Sequence, residues 1–124
     1  RDGANALRWL RLLTSTHVEP NLVSYNSAAR AFATTGDVDG ARRVLGLMSS
    51  RALAPDAVSW TALFVACGNA RPVRSDVAEE GFRKMVASSV FPDKVLMRCL
   101  RRALSRARCE QLCAELGIDA SLIG

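Results

Sequence analysis

Histidine, cysteine and clustered carboxylates build most protein chemistry, and this 124-residue chain brings few of them together. His17 is the one histidine. Cys67, Cys99, Cys109 and Cys113 form no C-x-x-C and lie far along the chain from His17. Neither a zinc ligand set nor a disulfide framework fits that spacing, so the thiols read as small fillers between helices. Glu79 and Glu80 are adjacent and point to different faces of a helix, which does not suit a metal-dependent nuclease. No H-x-E precedes a C-x-x-C as deamination requires, and no glycine-rich loop could cradle a phosphate. The expectation is a protein without catalytic residues, cofactor, metal or small-molecule substrate. Arginine is the exception to this sparseness: it supplies 15 of the 17 basic residues, and its planar fork suits phosphates and stacks on bases.

The basic residues are unevenly placed. Residues 1–93 carry 11 basic and 9 acidic side chains, a net of +2; residues 94–124 carry 6 and 3, a net of +3. In a helix read over Lys94 to Arg108, Leu96, Leu100, Ala103 and Ala107 share one face. Lys94, Arg98, Arg101, Arg102 and Arg106 lie opposite, with Arg108 near them and no acid between. That face could hold phosphates without choosing bases, or simply be solvated.

The elements that would position these residues are helical and repeat. Ala6, Leu10, Leu13, Val18 and Pro20 lie 35 residues before Ala41, Leu45, Met48, Leu53 and Pro55. Ala78, Phe82, Met85, Pro92 and Asp93 lie 37 residues after Ala41, Leu45, Met48, Pro55 and Asp56. Such a period without a strand signal marks a helical solenoid. Residues 3–15, with Leu7, Trp9, Leu10 and Leu13, read as the second helix of a truncated repeat ended by Val18-Glu19-Pro20, after which Asn21 suits an N-cap. A first helix follows from about Ser24 to Thr35, with Tyr25, Ala28, Ala29 and Phe32 at core spacing. Gly36 ends it in a left-handed cap. A second helix spans about Val38 to Ser50, burying Ala41, Val44, Leu45 and Met48 and leaving Arg42 and Arg43 in solvent.

The next repeat puts Trp60 in the place of Tyr25, continued by Leu63, Phe64 and Cys67. Its two extra residues fall in a longer turn around Pro72, which cannot lie inside a helix. Ser75 or Asp76 would cap the partner helix through Ala78, Phe82, Met85 and Val86. After the long basic helix, Cys109 to Leu116 forms a short one ended by Gly117, and Ile118 and Leu122 tuck back. The expected division is 1–21 (truncated repeat), 22–56, 57–93 and a divergent capping repeat 94–124, all in one domain. The chain begins at Arg1 inside a repeat, so it reads as a segment of a longer protein. No apolar run approaches the roughly 20 residues of a membrane helix.

The motif order is specific. Val23-Ser24-Tyr25-Asn26 opens the unit, Gly36-Asp37 turns it, Pro55-Asp56 closes it, and Val58-Ser59-Trp60-Thr61 reopens it. Over residues 4–93 the chain resembles the pentatricopeptide repeat family, whose repeats read single-stranded RNA at about one base each. The resemblance implies an all-α, right-handed α-solenoid of antiparallel helix pairs. It also implies single-stranded RNA as partner, organellar RNA processing, stabilisation or translation in a mitochondrion or chloroplast, no membrane, and protein partners only through domains outside this segment.

In that family the fifth and last positions of a repeat read the base edge, and the second wedges against the base. By resemblance, Asn26 with Asp56 would favour uracil and Thr61 with Asp93 guanine, giving 5′-U-G-3′ for a strand parallel to the repeats. Asn21 would be the last position of the truncated repeat. The wedges would be Val23, Val58 and Val95. Position five of the third repeat is Arg98, outside the family's usual pairs. Lys94, Arg98, Arg101 and Arg102 would therefore contact phosphate. Asp56 and Asp93 also suit plain N-caps. The competing reading is a peptide- or protein-binding scaffold of tetratricopeptide type, although the W-x-x-L-G-x-x-Y opening and 34-residue period of those repeats are missing.

Overall fold

Capping side chains decide where the helices begin. The computed structural model describes residues 21–118, and among them lie six α-helices and no strand. They are α1 (Leu22–Thr35), α2 (Val38–Ser50), α3 (Ala57–Asn69), α4 (Ser75–Ala87), α5 (Lys94–Ala103) and α6 (Arg106–Leu116). The four first amides of a helix lack intrahelical partners. Asn21 accepts from Ser24 N at 3.0 Å, Asp37 from Gly40 N at 2.9 Å, Asp56 from Ser59 N at 3.0 Å and Asp93 from Leu96 N at 2.7 Å. Each cap stabilises by about 1 kcal/mol. Gly36 closes α1 at φ 72°, and a Cβ there would stand 2.8 Å from the Asn69 carbonyl oxygen. Glycine is thus required by conformation and by the close approach of α3.

The two expected core stripes are buried: Tyr25, Ala28, Ala29 and Phe32 on α1, and Ala41, Val44, Leu45 and Met48 on α2. Trp60, Leu63, Phe64 and Cys67 on α3 meet Ala78, Phe82 and Met85 on α4. α2 begins and ends where the sequence places it, and α1 starts two residues earlier, at Leu22. The turn 70–74 between α3 and α4 takes up the extra residues of that repeat. The first helices form a continuous row, α1 against α3 and α3 against α5, each backed by its own second helix. By contrast, α2 and α4 touch only marginally, and a groove of about 510 Å³ opens between them, walled by Leu45, Gly46, Trp60, Gly81 and Lys84. The row of first helices is therefore the inner side of a helical-repeat solenoid, and the second helices fan out on the outer side.

Three expectations are corrected. Lys94 to Arg108 is not one helix: α5 ends at Ala103, Leu104 is extended, and α6 starts after Ser105, whose side chain accepts from Arg108 N at 3.1 Å. A serine capping the next helix outweighs the continuous amphipathic pattern. Ala107 consequently leaves the face of Leu96, Leu100 and Ala103 and is exposed, and Arg106 leaves the row of basic residues to pair with Glu110 at 3.2 Å. Finally, neither Ser75 nor Asp76 is the N-cap of α4; Arg74 stands there without a side-chain bond to the helix amides, and Asp76 pairs with it at 3.4 Å. Gly117 ends α6 in the left-handed conformation, and Ile118 packs on the core. The helix expected over 3–15, His17 and Leu122 lie outside the described residues.

Candidate nucleic-acid interface

α3 is flanked by α1 and α5 and backed by α4, so the row of first helices has one face left open. Val23, Val58 and Val95 occupy that face, 70 %, 50 % and 58 % exposed. Large apolar side chains in this degree of exposure, one per repeat and in register, form a row of stiff β-branched surfaces. Between Val58 and Val95 lies a cavity of about 450 Å³ lined also by Arg30, Thr61, Val65 and Asp93. The structure thus brings Val58, Thr61, Asp93 and Val95 to one cavity. Thr61 Oγ1 donates its proton to Ala57 O at 2.6 Å, leaving only lone pairs for a ligand. Asp93 spends one carboxylate oxygen on the Leu96 amide and stays exposed.

The preceding repeat is arranged differently. Asn26 is only 9 % exposed and lies in the seam between α1 and α3. Its Nδ2 donates to Asp56 Oδ1 at 3.2 Å, and its Oδ1 accepts a short bond from the Ser59 hydroxyl. Ser59 is fully buried and in turn accepts from Asp56 N at 3.2 Å, completing a capping box. Burial pushes the Asp56 carboxyl up, but hydrogen bonds from the Ser59 amide, the Ser59 hydroxyl and Asn26 outweigh it and hold the pKa below the ordinary value. Asn21 caps α1, accepting from both the amide and the hydroxyl of Ser24.

Of the basic residues, Lys94 and Arg98 are exposed on α5. Arg102 donates to Asn69 Oδ1 at 3.2 Å, while Asn69 Nδ2 donates to Ala33 O at 3.0 Å, so one chain of bonds ties the C-terminal ends of α1, α3 and α5. Arg101 is half-buried, and its charge acts on the buried Cys109 thiol of α6. Arg108 is bidentate on Glu79, both bonds at 2.7 Å, on the side of α4 and α6.

A profile of the pentatricopeptide repeat domain matches residues 8–70, half of the chain. The chain belongs to the pentatricopeptide repeat family. It is also similar to a pentatricopeptide repeat-containing protein of Arabidopsis thaliana, 30 % identical over 107 residues, which is 86 % of this chain and 12 % of the relative. The chain thus spans a small part of that curated relative's length. In this pentatricopeptide repeat segment, two residues beside the family positions escaped sequence reasoning. Ser59 binds across 33 residues of sequence; its recurrence 35 residues after Ser24 marked a repeat position but named no partner. Arg30 reaches the Val58–Val95 cavity from the neighbouring helix; its position, one turn after Asn26 on the open side of α1, was the available clue.

Proposed function

We propose that this segment binds single-stranded RNA along the inner row of first helices, one base per repeat, as a scaffold without chemistry of its own. The observation that carries the reading is the Val58–Val95 cavity, apolar on its walls, with Thr61 and Asp93 at its polar edge. At the Thr61–Asp93 edge a base slid between the two valines meets acceptors only, because the Thr61 proton is spent on Ala57 O and a carboxylate cannot donate; Arg30, which also lines the cavity, comes from α1. Guanine offers two adjacent donors, N1–H and N2–H, on its Watson–Crick edge. Adenine offers one, beside an acceptor that faces lone pairs. The Thr61–Asp93 repeat therefore reads guanine, and the Asn26–Asp56 repeat reads uracil, in the order 5′-U-G-3′. Val23, Val58 and Val95 separate the bases.

Arg30, Lys94 and Arg98 carry charge to the phosphates; Arg102 and Arg101, already engaged within the protein, add field more than contact. Glu79 and Glu80, the adjacent carboxylates, are tied to Arg108 and Arg83 and to Lys84 and leave no pair for metal-assisted hydrolysis. Membership in the family supports a role in organellar RNA processing, stabilisation or translation, in a mitochondrion or chloroplast, within a longer array. The repeat units 22–56 and 57–93, with 94–124 as a cover for the open end, complete the proposal.

Fluorescence-anisotropy titration of short unstructured RNAs tests it. RNA bearing U-G should bind about tenfold tighter than the same RNA bearing U-A, with the difference reduced severalfold in Thr61→Val. Equal binding of all sequences, or tighter binding of a duplex, contradicts the reading.

A further inference from the structure

Asn26 is a poor candidate reader on its own terms. An amide can turn about its last torsion and present either an N–H or a carbonyl to a ligand. Uracil and cytosine differ in this respect twice over: position 4 is an acceptor in uracil and a donor in cytosine, and N3 is the reverse. An amide free to turn answers both. Here it is held from two sides. Asp56 accepts only, so the atom facing it must be Nδ2. Ser59 Oγ stands closer to the opposite atom, Oδ1, than to Asp56 Oδ1 at 3.0 Å, so its one proton goes to Asn26 first, and its lone pairs accept from the Asp56 amide. The hydroxyl is thus a hinge pin between cap and reader: it takes direction from the start of α3 and passes it to a side chain on α1. Burial of Ser59 at 0 % exposure keeps water from replacing it. The neighbouring repeat has no such pin, since the residue three after Asp93 is Leu96, which contributes only its amide.

We propose that Ser59 is a positioning residue for pyrimidine choice: by fixing the Asn26 amide it makes the first repeat select uracil over cytosine. This rests on the RNA-binding reading above and names what sets specificity at that site. Without the hydroxyl, Oδ1 of a buried amide loses its donor, only the 3.2 Å bond to Asp56 is left to orient the amide, and discrimination between the two pyrimidines weakens. Asp56 still caps α3 through the Ser59 backbone amide, so the fold does not depend on the pin.

The test compares the unaltered chain with Ser59→Ala and Ser59→Thr. Each is titrated with three otherwise identical RNAs carrying U-G, C-G or U-A. In Ser59→Ala the uracil-over-cytosine ratio falls about fivefold or to unity. The guanine-over-adenine ratio of the next repeat is unchanged, which shows that the molecule is folded and still reads. Ser59→Thr keeps the hydroxyl and restores the pyrimidine ratio. In the free protein, the two Asn26 side-chain amide protons exchange slowly with water in the unaltered chain and rapidly in Ser59→Ala. An undiminished pyrimidine ratio in Ser59→Ala, with guanine preference intact, overturns the role of Ser59 alone. A parent chain that separates neither U from C nor G from A overturns the reading beneath it as well.

Discussion

Asp56 shows how one side chain can serve the fold and the surface together. Its oxygen caps α3 and holds Asn26, and it is ionised to do both. Its folded pKa is depressed, so the stability it contributes is present above the ordinary carboxylate value of about 3.9 and is lost as pH falls through the lower folded value. Thermal unfolding should accordingly be flat around neutral pH and weaken only in that acid window. Asp56→Asn should leave stability nearly unchanged, because Asn caps as well as Asp. It should, however, relax uracil preference toward cytosine, since a neutral amide oxygen shared with the α3 cap accepts from Asn26 more weakly than the carboxylate does. Competition binding of U-G and C-G RNA checks this. The thiols behave as fillers: burial pushes Cys67 and Cys109 up to about 11 and raises Cys113 and the half-buried Cys99. Alkylation of the folded chain should label Cys99 first, as peptide mass mapping would show. At this scale Asn26, Thr61 and the valines were visible only through the resemblance to the family's repeat positions. Ser59 was hidden because its bond joins residues 33 apart in the chain, on different helices.

Helix ends were legible at most of the Asx residues and glycines that announce them, Asp76 being the exception because Arg74 holds the cap position of α4. Asn21, Asp37, Asp56 and Asp93 cap as their types predict, and Gly36 takes the left-handed turn. The third helix pair was obscured because Leu96, Leu100, Ala103 and Ala107 keep an unbroken apolar period across a break. The period reports which residues would share a face if the helix continued, not whether it does. Ser105 stops it by offering the α6 amides a better partner than continued helix would. Ser105→Ala should cost about 1 kcal/mol in urea unfolding. Gly36→Ala should cost about 1–3 kcal/mol, because it adds a left-handed penalty to a collision with the Asn69 carbonyl. A neutral Gly36→Ala would mean that the α1–α2 turn does not sit against α3. The link from α4 to α6 is ionic: hydrogen bonds from Arg108 first, against a smaller burial effect, hold the Glu79 carboxyl below its usual range.

As a whole the molecule is a short stack whose two sides differ. The inner side offers apolar steps with polar edges and exposed Lys94 and Arg98; the outer side opens into a groove between α2 and α4. The repeat period and core faces revealed this architecture from sequence. The split of the basic residues did not emerge, since Arg102 and Arg108 are each taken by a neighbour that only the fold brings close, and Arg106 by Glu110, one turn on in a helix that starts earlier than expected. RNA binding should weaken with salt. Replacing Lys94 and Arg98 together by Ala should make the slope of log K against log salt shallower by about 1.4, two phosphates at about 0.7 each. The most direct measurement is a methyl NMR titration of the chain with single-stranded U-G RNA. The methyl resonances of Val23, Val58 and Val95 should move together, while those of Leu45, Leu63 and Val77 along the outer groove stay in place. Movement confined to the outer groove, with the three valines unmoved, would contradict the inner row as the RNA-binding side.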